Sequence, residues 1–254
     1  MSRIYGITSG KGGVGKSTVT ANLGVALSQL GKKTLVIDAD IAMGGLQLIL
    51  GLQKTSVTLH EVLRREADVE EAIYRGVGGV YVIPCGSSLQ GFLKSDLEIL
   101  GKAITKLSDA YDFILIDGPA GLTKYSLLPI KIAEETLLVV TPDLQSISAA
   151  LKMKVAAGMT GSKVGGVILN KQRRTGIKKE DIRTTLGVEV LIEIPNDKGI
   201  YKALDVRKPV VTYMPRSSSS KAFKMLSLRL AGEADGLRSY QPGLFERITQ
   251  VIRA

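Results

Sequence analysis

The 254-residue sequence predicts an α/β protein, a doubly wound, mostly parallel sheet with helices on both faces. Short runs rich in Val, Ile and Leu alternate with stretches of helical period. Those runs are apolar throughout, as strands covered on both faces are. A glycine-rich turn carries the first of them directly into a helix. The length is enough for one such unit with a substantial core, and 44% hydrophobic with 23% charged residues is a globular balance.

Residues 3–8 alternate and read as the first strand, and residues 17–30 as a helix with Val19, Leu23, Ala26, Leu27 and Leu30 at helical spacing. Further strands are expected at 34–38, 80–84, 113–117, 136–141, 164–170 and 188–194, most of them separated by helical stretches. The serine run 217–220 precedes or caps a helix beginning near Lys221. A Gly/Asp/Ser/Pro-containing segment, 232–243, is expected to link the body, 1–231, to a terminal piece, 244–254. In that piece Leu244, Phe245, Ile248, Val251 and Ile252 fall on one helical face. The N-terminus has no leader pattern and no apolar run approaches a bilayer span, so a cytoplasmic protein is expected. The single Cys85 forms no intrachain disulfide and reads as a buried thiol, and the single His60 as a helix-surface residue.

The turn is GKGGVGKST. Gly10 to Ser17 fits G-x-x-x-x-G-K-[ST], between a strand and a helix as that pattern requires. Gly10, Gly12, Gly13 and Gly15 let the backbone of Lys11, Val14 and their neighbours curl until successive N–H groups face phosphate oxygens, and the helix start adds partial positive charge. Lys16 neutralises the terminal phosphates, Ser17 is placed to ligate Mg²⁺, and Thr18 follows in the first helical turn. Lys11 lies too early in the loop to replace Lys16.

Ligands in such sheets bind beyond the carboxyl ends of the strands. Asp38 and Asp40 end one strand in TLVIDAD, and Asp117 ends another in FILIDGPAG. Any one of them could cap a helix, but three beside a phosphate loop suggest a shared site. Asn170 ends a third strand in VILNK. Its amide matches the adenine N6 and ring nitrogen, although asparagine in this position is also a common turn former.

With its second lysine, the loop resembles that of the deviant Walker A ATPases, the MinD/ParA family, which includes the nitrogenase iron protein and Mrp-type iron-sulphur carriers. The resemblance implies an ATP-sandwiched homodimer in which Lys11 reaches the partner's nucleotide. It also implies that Asp40 orients the attacking water, that Asp117 holds Mg²⁺ through its water shell with Asp38 in the same network, and that Pro195, Asn196 and Asp197 lie near the adenine. Gly118 and Gly121 would free the loop after Asp117 to respond to the γ-phosphate. The cluster-bearing members use paired cysteines, so Cys85 alone implies no iron-sulphur cluster. The D-G-P-A-G after the strand at 113–117 is more similar to MinD-like members than to ParA, and there is no room before the first strand for the extra segment of flagellar-number relatives. ATP and Mg²⁺ are the implied cofactors, and hydrolysis would be slow until dimerisation.

A net charge of +10 admits an anionic membrane or DNA as partner. The densest basic stretch, 171–183, is interrupted by Glu180 and Asp181 and lacks aromatics, so it reads as a solvated loop and helix and DNA binding is not expected. The terminal piece, Leu244 to Ala254, resembles a MinD membrane-targeting tail, which implies reversible peripheral association. An amphipathic helix could instead dock on the body. The expected role is a spatial switch of the MinD type acting on an unidentified protein client. A ParA-like DNA-partition motor and a metallocentre-assembly ATPase working with a partner are the alternatives.

Overall fold

The computed structural model describes residues 2–42, 44–86, 98–173 and 175–233. The terminal segment 244–254 lies outside them. Eight strands form one sheet: β1 (Arg3–Ser9), β2 (Thr34–Asp38), β3 (Tyr74–Arg75), β4 (Tyr81–Ile83), β5 (Phe113–Ala120), β6 (Glu135–Val140), β7 (Lys163–Gln172) and β8 (Val190–Pro195). Their order is β3-β4-β2-β5-β1-β6-β7-β8. All pairings are parallel except β3 with β4. The seven expected strands are present. The two-residue β3 is an addition too short to leave a periodic signal.

Between the strands run α1 (Lys16–Gln29), α2 (Leu46–Ile49), α3 (Leu59–Leu63), α4 (Glu98–Leu107), α5 (Lys124–Ile132), α6 (Leu144–Met159) and α7 (Lys179–Leu186), and after β8 come α8 (Lys198–Asp205), α9 (Val210–Tyr213) and α10 (Ser218–Ala231). Neighbouring strand residues divide between the two layers. Val36, Leu115, Val139 and Ile168 pack with α1, α9 and α10, while Leu35, Ile37, Ile114 and Ile116 pack with α3 and α4. Leu138, Val140, Val167 and Leu169 face α6 and α7. Each such buried Leu, Ile or Val contributes about 1.5–3 kcal/mol, and two covered faces are why the strands read as unbroken apolar runs.

Helix ends follow their local chemistry. Ser217 caps α10 by accepting from the Ser220 amide, and Gly232 ends it in the left-handed region. Asn22 on α1 accepts from the Val211 amide at 3.1 Å, which ties α9 to the helix that follows the glycine-rich turn. Around β1 the order of connection reverses. The chain goes to β2 and β4 on one side, inserts β5 beside β1, then continues to β6, β7 and β8 on the other. A crevice therefore opens above the carboxyl end of β1, the switch point at which open α/β sheets bind ligands.

Candidate functional site

The glycine-rich turn fills that crevice. Gly15, at φ 90°, is the N-cap of α1, with no side-chain cap and no acidic residue in the first turn. The helix start is thus left to an external anion. Ser17 and Thr18 are half-buried in that turn. Lys16 is buried, and its Nζ lies 3.2 Å from Oδ1 of Asp117, which also accepts from Thr20 Oγ1 at 2.9 Å. The other Asp117 oxygen, Oδ2, is buried without a partner. Asp38 stands beside it because β2 and β5 pair Asp38 with Asp117 in register. Burial, and then the Asp117 charge, push the Asp38 carboxyl up to about 7 against the pull of the Leu46 and Asp40 amides and Lys16.

The outer side of the loop is gripped by β7. Asn170 Nδ2 donates to the Val14 carbonyl at 2.7 Å and Lys171 Nζ to the Gly13 carbonyl at 2.8 Å. In a trans peptide the C=O and the following N–H point in opposite directions. Holding these two carbonyls outward therefore aims the Val14 and Gly15 amides into the cradle. A Cβ on residue 15 would overlap the Asn170 amide nitrogen, so the contact requires glycine. Asn170 Oδ1 is buried and unpartnered, an acceptor available to an amino group. Lys171 had been expected in a solvated loop; it is instead part of the site. Its position directly after Asn170 was the available signal.

Lys11 points elsewhere, forming a 3.1 Å ion pair with Asp143, the two side chains 39% and 43% exposed. Asp143 caps α6 through the Ser146 amide at 2.9 Å and accepts from Thr141 Oγ1 at 2.6 Å. Burial raises its carboxyl, but the bonds from Thr141, Ser146 and Lys11 outweigh that and hold it below the usual range. Lys11, Val14, Pro142, Asp143, Lys171 and Arg173 line a cleft of about 370 Å³ beside the loop.

Asp40 follows β2, its amide 3.3 Å from Asp38 Oδ1. Two buried side chains hold the adjoining backbone. Cys85 Sγ donates to the Asp40 carbonyl at 3.2 Å, and His60 Nε2 lies 3.0 Å from the Ile41 carbonyl. His60 is therefore not a helix-surface residue: α3 turns it inward, and only 2% of it is exposed. Cys85 is buried as expected, and burial, then Asp38 and Asp40, raise its thiol pKa. Gly118 also differs from expectation. The strand continues to Ala120, and a Cβ at 118 would sit 2.8 Å from Pro129 Cγ, so glycine there permits close packing of α5.

Pro195 ends β8. Asn196 is exposed, its amide bonded to the Gln172 carbonyl at 2.9 Å. Asp197 caps α8 through the Gly199 amide at 2.7 Å and accepts from Ser219 Oγ at 2.7 Å. Its carboxylate is thereby committed to joining α8 with α10.

Among the described residues no cluster of three or more His, Cys, Asp and Glu side chains could hold a metal alone. Asp38 and Asp117 nonetheless stand side by side, Asp117 beside Lys16 at the start of α1 where Ser17 follows, with Asp117 Oδ2 unmatched. That suits a small divalent cation whose remaining ligands are water and phosphate.

The model of the CobQ/CobB/MinD/ParA nucleotide-binding domain matches residues 5–210. The chain belongs to this family. Within the MinD/ParA family it is 41% identical to an uncharacterised ATP-binding protein of Methanocaldococcus jannaschii, over 90% of this chain and 88% of the relative. The crystal structure of the Pyrococcus furiosus cell division ATPase MinD is similar at 40% identity and a TM-score of 0.88, over 91% of this chain and 99% of that one. The septum site-determining protein MinD of Pyrococcus horikoshii, complexed with Mg-ADP, matches at 37% and 0.88, over 92% and 98%. The chain is thus a MinD-like member with the P-loop NTPase fold.

Proposed function

We propose that the chain is a Mg²⁺-dependent ATPase of the MinD type that pairs with a second copy when ATP is bound, attaches reversibly to the inner face of the membrane while paired, and so marks position for a protein client. The observation that carries this is Lys11. Lys16 already occupies the cradle, while Lys11 is held outside it by an exposed ion pair that a partner's nucleotide could replace.

In this reading the Val14 and Gly15 amides, Lys16, and Lys11 of the partner subunit meet the charge that develops on the γ-phosphate. Ser17, with Asp38 and Asp117 through water, would hold Mg²⁺, which would supply positive charge to offset that of the phosphates. Asp40 orients the attacking water, and Asn170 Oδ1 accepts from the adenine N6 amine, with Pro195, Asn196 and Asp197 bordering the base. Among the described residues no helix is long and apolar enough to cross a membrane. Attachment is assigned to the apolar face of 244–254, one weak anchor per copy and two per dimer, for which avidity rises by roughly 10² to 10⁴.

Light scattering with Mg²⁺ and either ATP or ADP tests the switch. A dimer with ATP alone is expected, and a monomer with both would overturn it. Sedimentation with anionic vesicles tests the anchor. Strong pelleting is expected for the intact chain with ATP, and equal pelleting of a chain ending at Gly243 would remove the tail from the reading.

A further inference from the structure

We infer that Cys85 and His60 are positioning residues for hydrolysis, setting the backbone from which Asp40 acts. The inference rests on the proposed role of Asp40 in orienting water.

The loop between β2 and α2 carries Asp40 and is tied at several points. Asp38 accepts the Asp40 amide at 3.3 Å and the Leu46 amide at 3.0 Å, which closes the loop on itself. The carbonyls of Asp40 and Ile41, which belong to the two peptide groups flanking Ile41, are then taken by side chains from a different part of the fold. A carbonyl only accepts, so Cys85 supplies its S–H and His60 carries its proton on Nε2. Nδ1 is correspondingly a buried acceptor without a partner.

These two donors are themselves locked together. The Leu59 and His60 amides donate to the Pro84 and Cys85 carbonyls at 2.8 and 3.3 Å, and Sγ lies 3.6 Å from Nε2. The Thr58–Glu61 capping box holds the start of α3, and a Cβ on residue 86 would sit 2.8 Å from His60 Nδ1. The segment just after β4 and helix α3 thus form one hydrogen-bonded support, buried at Cys85 and His60, with the Asp40 loop resting on it. Among the described residues Cys85 and His60 make no hydrogen bond to the glycine-rich loop, so removing them should loosen the geometry of attack and leave ATP capture to the P-loop.

Steady-state kinetics on the full chain with Mg-ATP decides it, with circular dichroism and thermal melts to confirm folding. Cys85→Ala and His60→Ala should each lower kcat about tenfold to a hundredfold while KM for ATP stays within about twofold. Cys85→Ser and His60→Gln, which restore a donor, should recover most of that rate. Folded Ala variants with wild-type kcat, or equal losses in the Ala and donor-restoring variants, would overturn the positioning role. Should His60→Ala fail to fold, the Cys85→Ala and Cys85→Ser pair carries the same test through a smaller change in volume. Asp40→Ala in the same assay separates the two ideas. An inactive Asp40→Ala beside a fully active Cys85→Ala refutes only the support, whereas a fully active Asp40→Ala refutes the role of Asp40 on which it rests.

Discussion

Lys11 Nζ lies 3.1 Å from Asp143 Oδ1, so the first of the two lysines in the glycine-rich loop is bound to the cap of α6 and not to the cradle around Lys16. Both partners are more than a third exposed, and such pairs contribute at most about 1 kcal/mol. Lys11→Ala should therefore change unfolding free energy by no more than about that amount and keep ATP binding, yet abolish the ATP-dependent dimer. Chemical denaturation and light scattering check the two halves. A Lys11→Ala chain that dimerises normally with ATP would end the cross-interface role.

With Asp40 orienting water as proposed, Asp40→Ala should bind ATP and remain paired, because the lost group would support the transition state more than the ground state. Turnover is expected to fall by about two orders of magnitude or more. Phosphate release under saturating ATP measures it, and an unchanged rate refutes the assignment.

Asp38 gives the free protein a pH signature. Its carboxyl is raised to about 7 in the fold, so the folded chain binds this proton more tightly than the unfolded one. The stabilisation is complete below the unfolded value of about 3.9 and drains away as pH rises toward 7, by up to about 1.4 kcal/mol per unit. Urea unfolding at pH 5 and pH 8, without nucleotide or Mg²⁺, should show a larger loss at pH 8 for wild type than for Asp38→Asn. Identical pH dependence in both would show that Asp38 ionises normally.

Lys171→Ala should weaken ATP binding about tenfold, the equivalent of one hydrogen bond of about 1.4 kcal/mol, by releasing the Gly13 carbonyl and with it the Val14 amide. Rate at saturating ATP should survive. Calorimetry decides, and an unaltered dissociation constant would show that Asn170 alone steadies the loop.

Local pattern made much of this legible. The strands and the glycine-rich turn into α1 are contiguous signals, and each appears where the sequence places it, although β5 runs past Asp117 to Ala120. Contacts between distant segments were not legible. Nothing near Asp143 marks it as the partner of Lys11, 132 residues away in sequence. Likewise His60 sits in a short helix whose inward face depends on the β4 end it packs against, and polarity alone put it at the surface. Gly118 was misread because glycine serves flexibility and close packing equally well, and only Pro129 distinguishes them.

The two margins of the sheet have a consequence for how copies meet. One margin is the two-residue β3, running against its neighbour, and at the other Arg229 on α10 covers the Leu191 carbonyl of β8 at 3.1 Å. Exposed strand margins are templates for uncontrolled growth, and short or covered ones blunt that tendency. A short antiparallel strand at one side and a capped carbonyl at the other discourage copies of this chain from joining edge to edge into a continuous ribbon.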